Sequence, residues 1–336
     1  MNKILRLFSV TLISIMLVVG FTTAQAGQSK DQTKKDAKTG NVKKTGGQKT
    51  IAVVGVALAS EALRRYSNEI KAAATAKGWK YKEADSNGDY AKAVTAAENL
   101  IQSGVDAIVN MAVDNKILSK AIKLANEKNI PWVSIGGTWQ KGVAFDIESN
   151  EFVGMGQMGL YIADYIDHRG NIILFTFSPL LPTRQRQLAF EAVVKSFPDM
   201  KIVEVHDTKY PGSVEDARQA MENYLLKYPK KGDIAAVWCA WDEPAQGASL
   251  AIQAAGRNEI IVTGSDGDKF AYDAIRQGTP FKATLANPPN IAGPLTVGTL
   301  EKIFNGQKPS SRVFYSPHIL VDKSNVPAPG KYYGEK

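Results

Sequence analysis

The sequence predicts an α/β protein made of two similar doubly wound lobes, each a parallel sheet with helices on both faces. Two observations carry this. From Ile51 onward, short β-branched apolar runs alternate with helical stretches, the rhythm of parallel strands joined by helical crossovers. The strands are also too many for one comfortable sheet, and their count divides near Asn150. The size agrees: 336 residues at about 150 per domain give about two domains, and 44% hydrophobic with 22% charged residues is a globular composition.

The elements follow in order. IAVVGVAL (51–58) is continuous, β-branched and too short for a helix, so it reads as a buried strand. Ser60 then caps a helix that runs to about Gly78. WKYKEA (79–84) alternates as a strand does, a helix follows to about Gly104, and AIVNM (107–111) is the next strand. A helix to Asn129 leads into WVSIGG (132–137), and VAFDI (143–147) is a further strand. In the second half, strands fall at 171–177, 201–207, 233–240, 260–265 and 281–286. Helices fit at about 184–197, 213–228, 244–255, 268–277 and 291–305.

The net charge of +8 is unevenly placed. Residues 1–26 carry Lys3 and Arg6 with no acid, and residues 27–49 carry seven Lys against Asp31 and Asp36, so the remainder is left at +1. The folded part thus has no overall basic excess of the kind nucleic-acid binding requires. A positive start, an apolar run from Leu7 to Phe21 and Ala24-Gln25-Ala26 read as a signal peptide over 1–26. That run is shorter than the roughly 20 residues of a spanning helix. Export to the periplasm is the expectation, and the single Cys239 suits an oxidising compartment. Residues 27–49 hold almost no apolar side chain and read as a disordered Lys-rich linker, with a tether to anionic headgroups as the sharper alternative.

Catalytic and metal signatures fail on context. Gly154, Gly156 and Gly159 spell G-x-G-x-x-G, but inside a helical stretch and with no acid about 20 residues on, so close helix packing explains them better than a dinucleotide. Walker, zincin and nucleophile-elbow motifs are absent from the sequence. Asp266-Gly267-Asp268 is too short for a calcium loop. His168, His206 and His318 are too dispersed for a local metal motif and read as residues in or beside regular elements. No catalytic residue, metal or cofactor is expected.

Ligands of open α/β sheets bind beyond the carboxyl ends of strands. The residues there, taken in order, resemble the ribose- and galactose-type periplasmic binding proteins of ABC transporters over about 50–322. The segments that carry the likeness are IAVVGVAL, GVDAIVNMAVDN with NIPWVSIGG, RQRQLAF, DIAAVWCAWDEPAQGA, IIVTGSDGD and FKATLANPPNIAG. DNA-binding repressors share this core but open with a helix-turn-helix, whose place the leader and linker take here.

The resemblance implies a three-stranded hinge with a ligand cleft between the lobes. Crossings would fall near Asn150-Glu151, near Asn287 and near Ser316 to His318. Lobe one would be 50–149 plus 288–316, and lobe two 151–286 plus 317–330. It also implies roles. Arg186 matches an arginine that grips sugar hydroxyls, against the bland alternative of a surface arginine such as Arg184. Asp266 matches a cleft aspartate, against a turn former. Asn287 matches a hinge-side amide, and Tyr210 and Trp241 match aromatic contacts, Trp241 also fitting plain packing.

Two departures stand out. Gly136-Gly137 replaces a charged pair, and Ala59 to Leu63, with Ser60, replaces an aromatic-rich loop. Gly136 and Gly137 could then open space or offer backbone N–H groups, and Trp139 is placed to fill that space. A polyol, a modified sugar or a less polar ligand becomes admissible beside a sugar. The functional expectation is a monomeric exported solute-binding protein that captures a small sugar or polyol and delivers it to an ABC permease. A sensor module presenting its bound state to a chemoreceptor or histidine kinase stays open, and an exported α/β enzyme is the remote alternative.

Overall fold

The computed structural model describes residues 47–288 and 290–335. The expected signal peptide and residues 27–46 of the expected linker lie outside the described residues. Gln48 and Lys49, read with the linker, already belong to the fold: Gln48 Nε2 donates to Gly78 O (2.7 Å) and Lys49 Nζ pairs with Asp106 (3.1 Å).

The first sheet takes β1 (Thr50–Gly55), β2 (Lys80–Asp85), β3 (Ala107–Met111), β4 (Trp132–Ile135), β5 (Phe145–Ser149) and β11 (Val313–Ser316), in the order β11-β5-β4-β3-β1-β2, all parallel. The second takes β6 (Gly170–Thr176), β7 (Met200–Asp207), β8 (Ala236–Cys239), β9 (Ile261–Asp266), β10 (Phe281–Ala286) and β12 (Ile319–Val321), in the order β12-β10-β9-β8-β6-β7. β12 runs antiparallel to β10 and is the exception to the parallel plan.

Helices cover both faces of each sheet. On the first, α2 (Tyr90–Gln102) and α3 (Ser119–Glu127) bury Ala93, Ala97, Ile101 and Ile122 on one face. There α1 (Glu61–Ala76) and α9 (Ala292–Phe304) bury Ile70, Val297 and Leu300 on the other. On the second, α4 (Glu151–Tyr165) and α5 (Leu181–Val194) oppose α6 (Ser213–Lys227), α7 (Asp242–Ala254) and α8 (Lys269–Gln277). Fully buried Ile, Val and Leu in the central strands are what sheets covered on both faces demand.

The chain passes between sheets three times: from β5 into α4, from β10 into α9, and from β11 into β12. Local chemistry sets the first passage, where Asn150 caps α4 by accepting from Val153 N (3.2 Å). Two of the three motif glycines in α4 are packing glycines. A Cβ on Gly154 would sit 2.7 Å from the His318 ring, and one on Gly159 2.8 Å from Val193. Among the described residues no helix is long and apolar enough to cross a membrane.

Candidate ligand site

A cavity of about 130 Å³ lies where the carboxyl ends of both sheets face each other. At roughly 10–15 Å³ per water by this measure, it holds the equivalent of about ten waters, which is room for a small solute. Six of the eight residues singled out by sequence line it: Ser60, Arg186, Tyr210, Trp241, Asp266 and Asn287.

The other two do not. Gly137 lies beneath the wall, where a Cβ would stand 2.7 Å from Asn110 Nδ2 and 2.9 Å from Ser134 Cβ; the glycine that lines the cavity is Gly136. Gly136 cannot offer the expected free donor, because its N–H is given to Ile147 O (2.8 Å). Trp139 turns away as well. Its Nε1 donates to Val143 O (3.0 Å), its ring packs on the first lobe's core, and Arg312 stacks over it at 4.8 Å.

Arg186 is not a free grip. It is buried on α5, and its Nε and Nη2 donate to the two carboxylate oxygens of Glu151 (2.9 and 3.3 Å). Its Nη1 donates to Ala240 O (2.8 Å) and Asp266 Oδ1 (3.0 Å). Four of its five N–H groups are therefore committed within the protein, and what it presents to the cavity is mainly an oriented Asp266. His318 Nε2 stands 3.1 Å from Glu151 Oε2, so all three crossings meet at this cluster or beside it; Ser149 Oγ donates to Asn287 Oδ1 (3.3 Å).

The charges shift accordingly. Burial alone would raise the Glu151 carboxyl, but the Arg186 charge and His318 outweigh it and hold it at about 2. Burial pushes the Asp266 carboxyl up despite Arg186. Beneath it, burial and the Asp266 charge push Asp242 up to about 8, although Asp242 accepts from Thr284 Oγ1 (2.7 Å) and Asp268 N (2.9 Å). At the first lobe's rim Glu148 is pushed up to about 9, by burial and then by the hydrogen bond and charge of Asp146. Asp266 also sits at φ +122°, a region that non-glycine residues rarely adopt, and such strain gathers at ligand sites.

Tyr210 and Trp241 flank Phe177, with ring centroids 6.5 and 6.0 Å from it, and give the second lobe an aromatic wall. The Tyr210 hydroxyl is buried without a partner, and burial pushes it up to about 12.

Sequence reasoning missed Glu148, Glu151 and Tyr66, which line the cavity, and Glu61, Arg65 and His318 around it. Glu61 Oε1 accepts from Lys269 N (2.9 Å) and from Tyr332 Oη (2.9 Å), and Arg65 Nη2 donates to Asp266 O (3.3 Å), so α1 of the first lobe is tied to the second. Glu61 and Glu151 carry the one readable signal, an acid in the first turn of a helix. Among the described residues no group of three His, Cys, Asp or Glu could hold a metal ion.

These features define a binding protein with its ligand space between two α/β lobes. The chain belongs to the periplasmic binding protein family: the family model described as "Periplasmic binding protein domain" matches residues 44–308. It is similar to the ribose import binding protein RbsB of Bacillus subtilis, 30% identical over 71% of this chain and 76% of that protein. It is also similar to a D-apiose import binding protein of Paraburkholderia graminis, 28% identical over 64% of this chain and 68% of that one. A solved ABC transporter solute-binding protein from Agrobacterium vitis with bound allitol superposes with a TM-score of 0.77 and 27% identity, over 83% of this chain and 97% of the other. These are proteins of sugar and polyol transport, and this chain is a binding protein, not an enzyme.

Proposed function

We propose that the protein is exported to the periplasm, captures a small polyhydroxylated ligand between its lobes and delivers it, as a monomer, to the permease of an ABC transporter. The observation that carries the reading is the convergence of Asp266, Asn287, Tyr210 and Trp241 on one cleft at the strand ends of both sheets. An ionised carboxylate and a side-chain amide together accept from and donate to adjacent hydroxyls, and an indole face suits the C–H side of a carbon chain. Arg186 serves by fixing Asp266 and the Glu151 end of the first crossing. The named ligands of the relatives, ribose, apiose and allitol, have this chemistry.

A thermal-shift and calorimetric panel of pentoses, hexoses and linear polyols tests the reading. A ligand that binds only the folded state raises stability by RT ln(1 + [L]/Kd), which is about 2.7 kcal/mol at one hundred times Kd. At least one member of the panel should stabilise the protein, and Asp266→Ala should abolish the shift. Uniformly flat curves across the panel would exclude a sugar or polyol ligand.

A further inference from the structure

The two walls of the cavity differ in a way that bears on the ligand. Its guanidinium, amide and two of its carboxylates, on Arg186, Asn287, Glu151 and Asp266, lie at the crossings or on the second lobe, and Glu148 stands beside the first crossing at the end of β5. The first-lobe wall is built from Val56, Ala57, Leu63, Ala112, Ile135 and Gly136, with Leu180 and Pro182 of the second lobe closing against it. Leu180 packs on the first lobe's own core cluster, and a Cβ on Gly136 would lie 3.7 Å from Pro182 Cγ, so this end of the cavity is closed by apolar contact between lobes.

Just past the ends of β1, β3 and β4 the backbone adds no free N–H to that wall. Val56 N donates to Met111 O (3.2 Å), Ala112 N to Ile135 O (2.8 Å) and Gly136 N to Ile147 O (2.8 Å). The polar side chains of β3 and its following turn point below it: Asn110 Nδ2 donates to Val113 O (2.7 Å) and Asn115 Oδ1 (2.9 Å), and Asn115 Nδ2 to Ser134 Oγ and Thr138 O (both 2.8 Å). Away from the crossings, where Glu148, Ser149 and Ser316 line the cavity, the side-chain polarity of the first-lobe side comes from Ser60 and the Tyr66 hydroxyl. An unmodified sugar or polyol carries a hydroxyl on nearly every carbon, and a hydroxyl buried against a wall with no partner is penalised.

From this we infer that the preferred ligand is a pentose-sized sugar or polyol with one small apolar substituent, its hydroxyls against Asp266 and Asn287 and its substituent against the Val56–Leu63–Ile135 wall. The inference rests on the solute-binding reading above and narrows it.

The test is calorimetry of the full exported protein with D-ribose and xylitol, each set beside its mono-deoxy, mono-O-methyl and mono-S-methyl derivatives. At least one derivative should bind tenfold or more tightly than its parent. Leu63→Ser, whose side chain is only partly buried, should remove that advantage by lowering the derivative's affinity at least tenfold more than the parent's. Ligand-free unfolding of the variant checks that it folds, and Val56→Thr is a second, nearly isosteric probe of the same wall.

Parents that bind as tightly as every derivative would overturn the inference and leave the solute-binding reading standing. A derivative preference untouched by both variants would overturn the placement of the substituent, and with it the inference. Failure of parents and derivatives alike would overturn the inference and its parent reading together.

Discussion

The two lobes share one plan and handle polar groups in opposite ways at corresponding places. Below the ends of β3, β4 and β5 in the first lobe, Asn110, Asn115, Ser134 and Asp146 form a chain of hydrogen bonds joined by Trp132 Nε1 (3.1 Å to Asn115 Oδ1). That network faces the core and rigidifies the loops from beneath. At the ends of β8, β9 and β10 in the second lobe, Asp242, Thr284, Asp266 and Arg186 form a comparable network that reaches the cavity surface. Doubly wound folds place a ligand at strand ends, but the fold leaves open which lobe supplies charge and which supplies shape.

The comparison is broken most forcefully at Arg186. By resemblance alone it is an arginine that grips the ligand, with no structural duty of its own. Its burial between Glu151 and Asp266 says otherwise. Arg186→Ala would leave two buried carboxylates without their cation, and losing one partner of a buried ion pair costs about 3–5 kcal/mol. Urea unfolding should show a loss of that order, whereas Arg184→Ala, which gives up two hydrogen bonds to the exposed Ser178-Pro179 carbonyls, should lose under about 1 kcal/mol. Equal midpoints for the two variants would mean that the second-lobe network is not structural.

Acidity sharpens the contrast within the second lobe. Glu151 is depressed to about 2, so its contribution is present above the unfolded value near 4 and is lost as pH falls toward 2. Asp242 is raised to about 8, which reverses the sign: its contribution is full below about 4 and is lost as pH rises toward 8. One such proton gives a slope of up to about 1.4 kcal/mol per pH unit. Stability measured at pH 5, 6.5 and 8 should therefore fall with pH, and Asp242→Asn should flatten the decline even if it lowers stability at every pH. A decline of the same slope in the variant would show that Asp242 is not its source.

Much of this was legible in the sequence where one element explains itself. AIVNM and FKATLA are strands at their read boundaries, because a β-branched or alternating run between helices has few other options. The first strand was read three residues too long: Val56, Ala57 and Leu58 continue the apolar run, yet the chain turns after Gly55 and folds the Leu58 side chain back onto it, where a Cβ would meet it at 2.3 Å. β11 and β12 were not read as strands, since four and three partly exposed residues give no periodic signal; they exist because β5 and β10 offer them edges. In the site, strand ends supplied a long list of candidates, and the family resemblance picked Asp266, Asn287, Tyr210 and Trp241 from it. The partner of Arg186 could not be read, because Glu151 is 35 residues away on another helix. Trp139 was misread because an aromatic after a strand looks like a cleft residue until its indole N–H finds Val143 O.

The smallest effect expected lies at the contact between the lobes and not inside either one. Glu61 opens α1 in the first lobe, and its Oε1 accepts from Lys269 N at the first turn of α8 in the second. This is an N-terminal cap supplied across the cleft, with Tyr332 Oη as a second donor to the same oxygen. The bond exists only when the lobes are together, so it favours the closed arrangement without touching the ligand space. Removing a cap costs about 0.5–2 kcal/mol. If binding and closure are linked, Glu61→Ala should weaken ligand affinity by about 2- to 30-fold, chiefly through faster dissociation. Glu61→Gln keeps an acceptor oxygen and should lose less. Stopped-flow release of a bound ligand from the panel separates the cases. An unchanged release rate in Glu61→Ala would mean that closure is held by the cavity contacts alone, and that the first lobe contributes shape to the ligand but no latch to the motion.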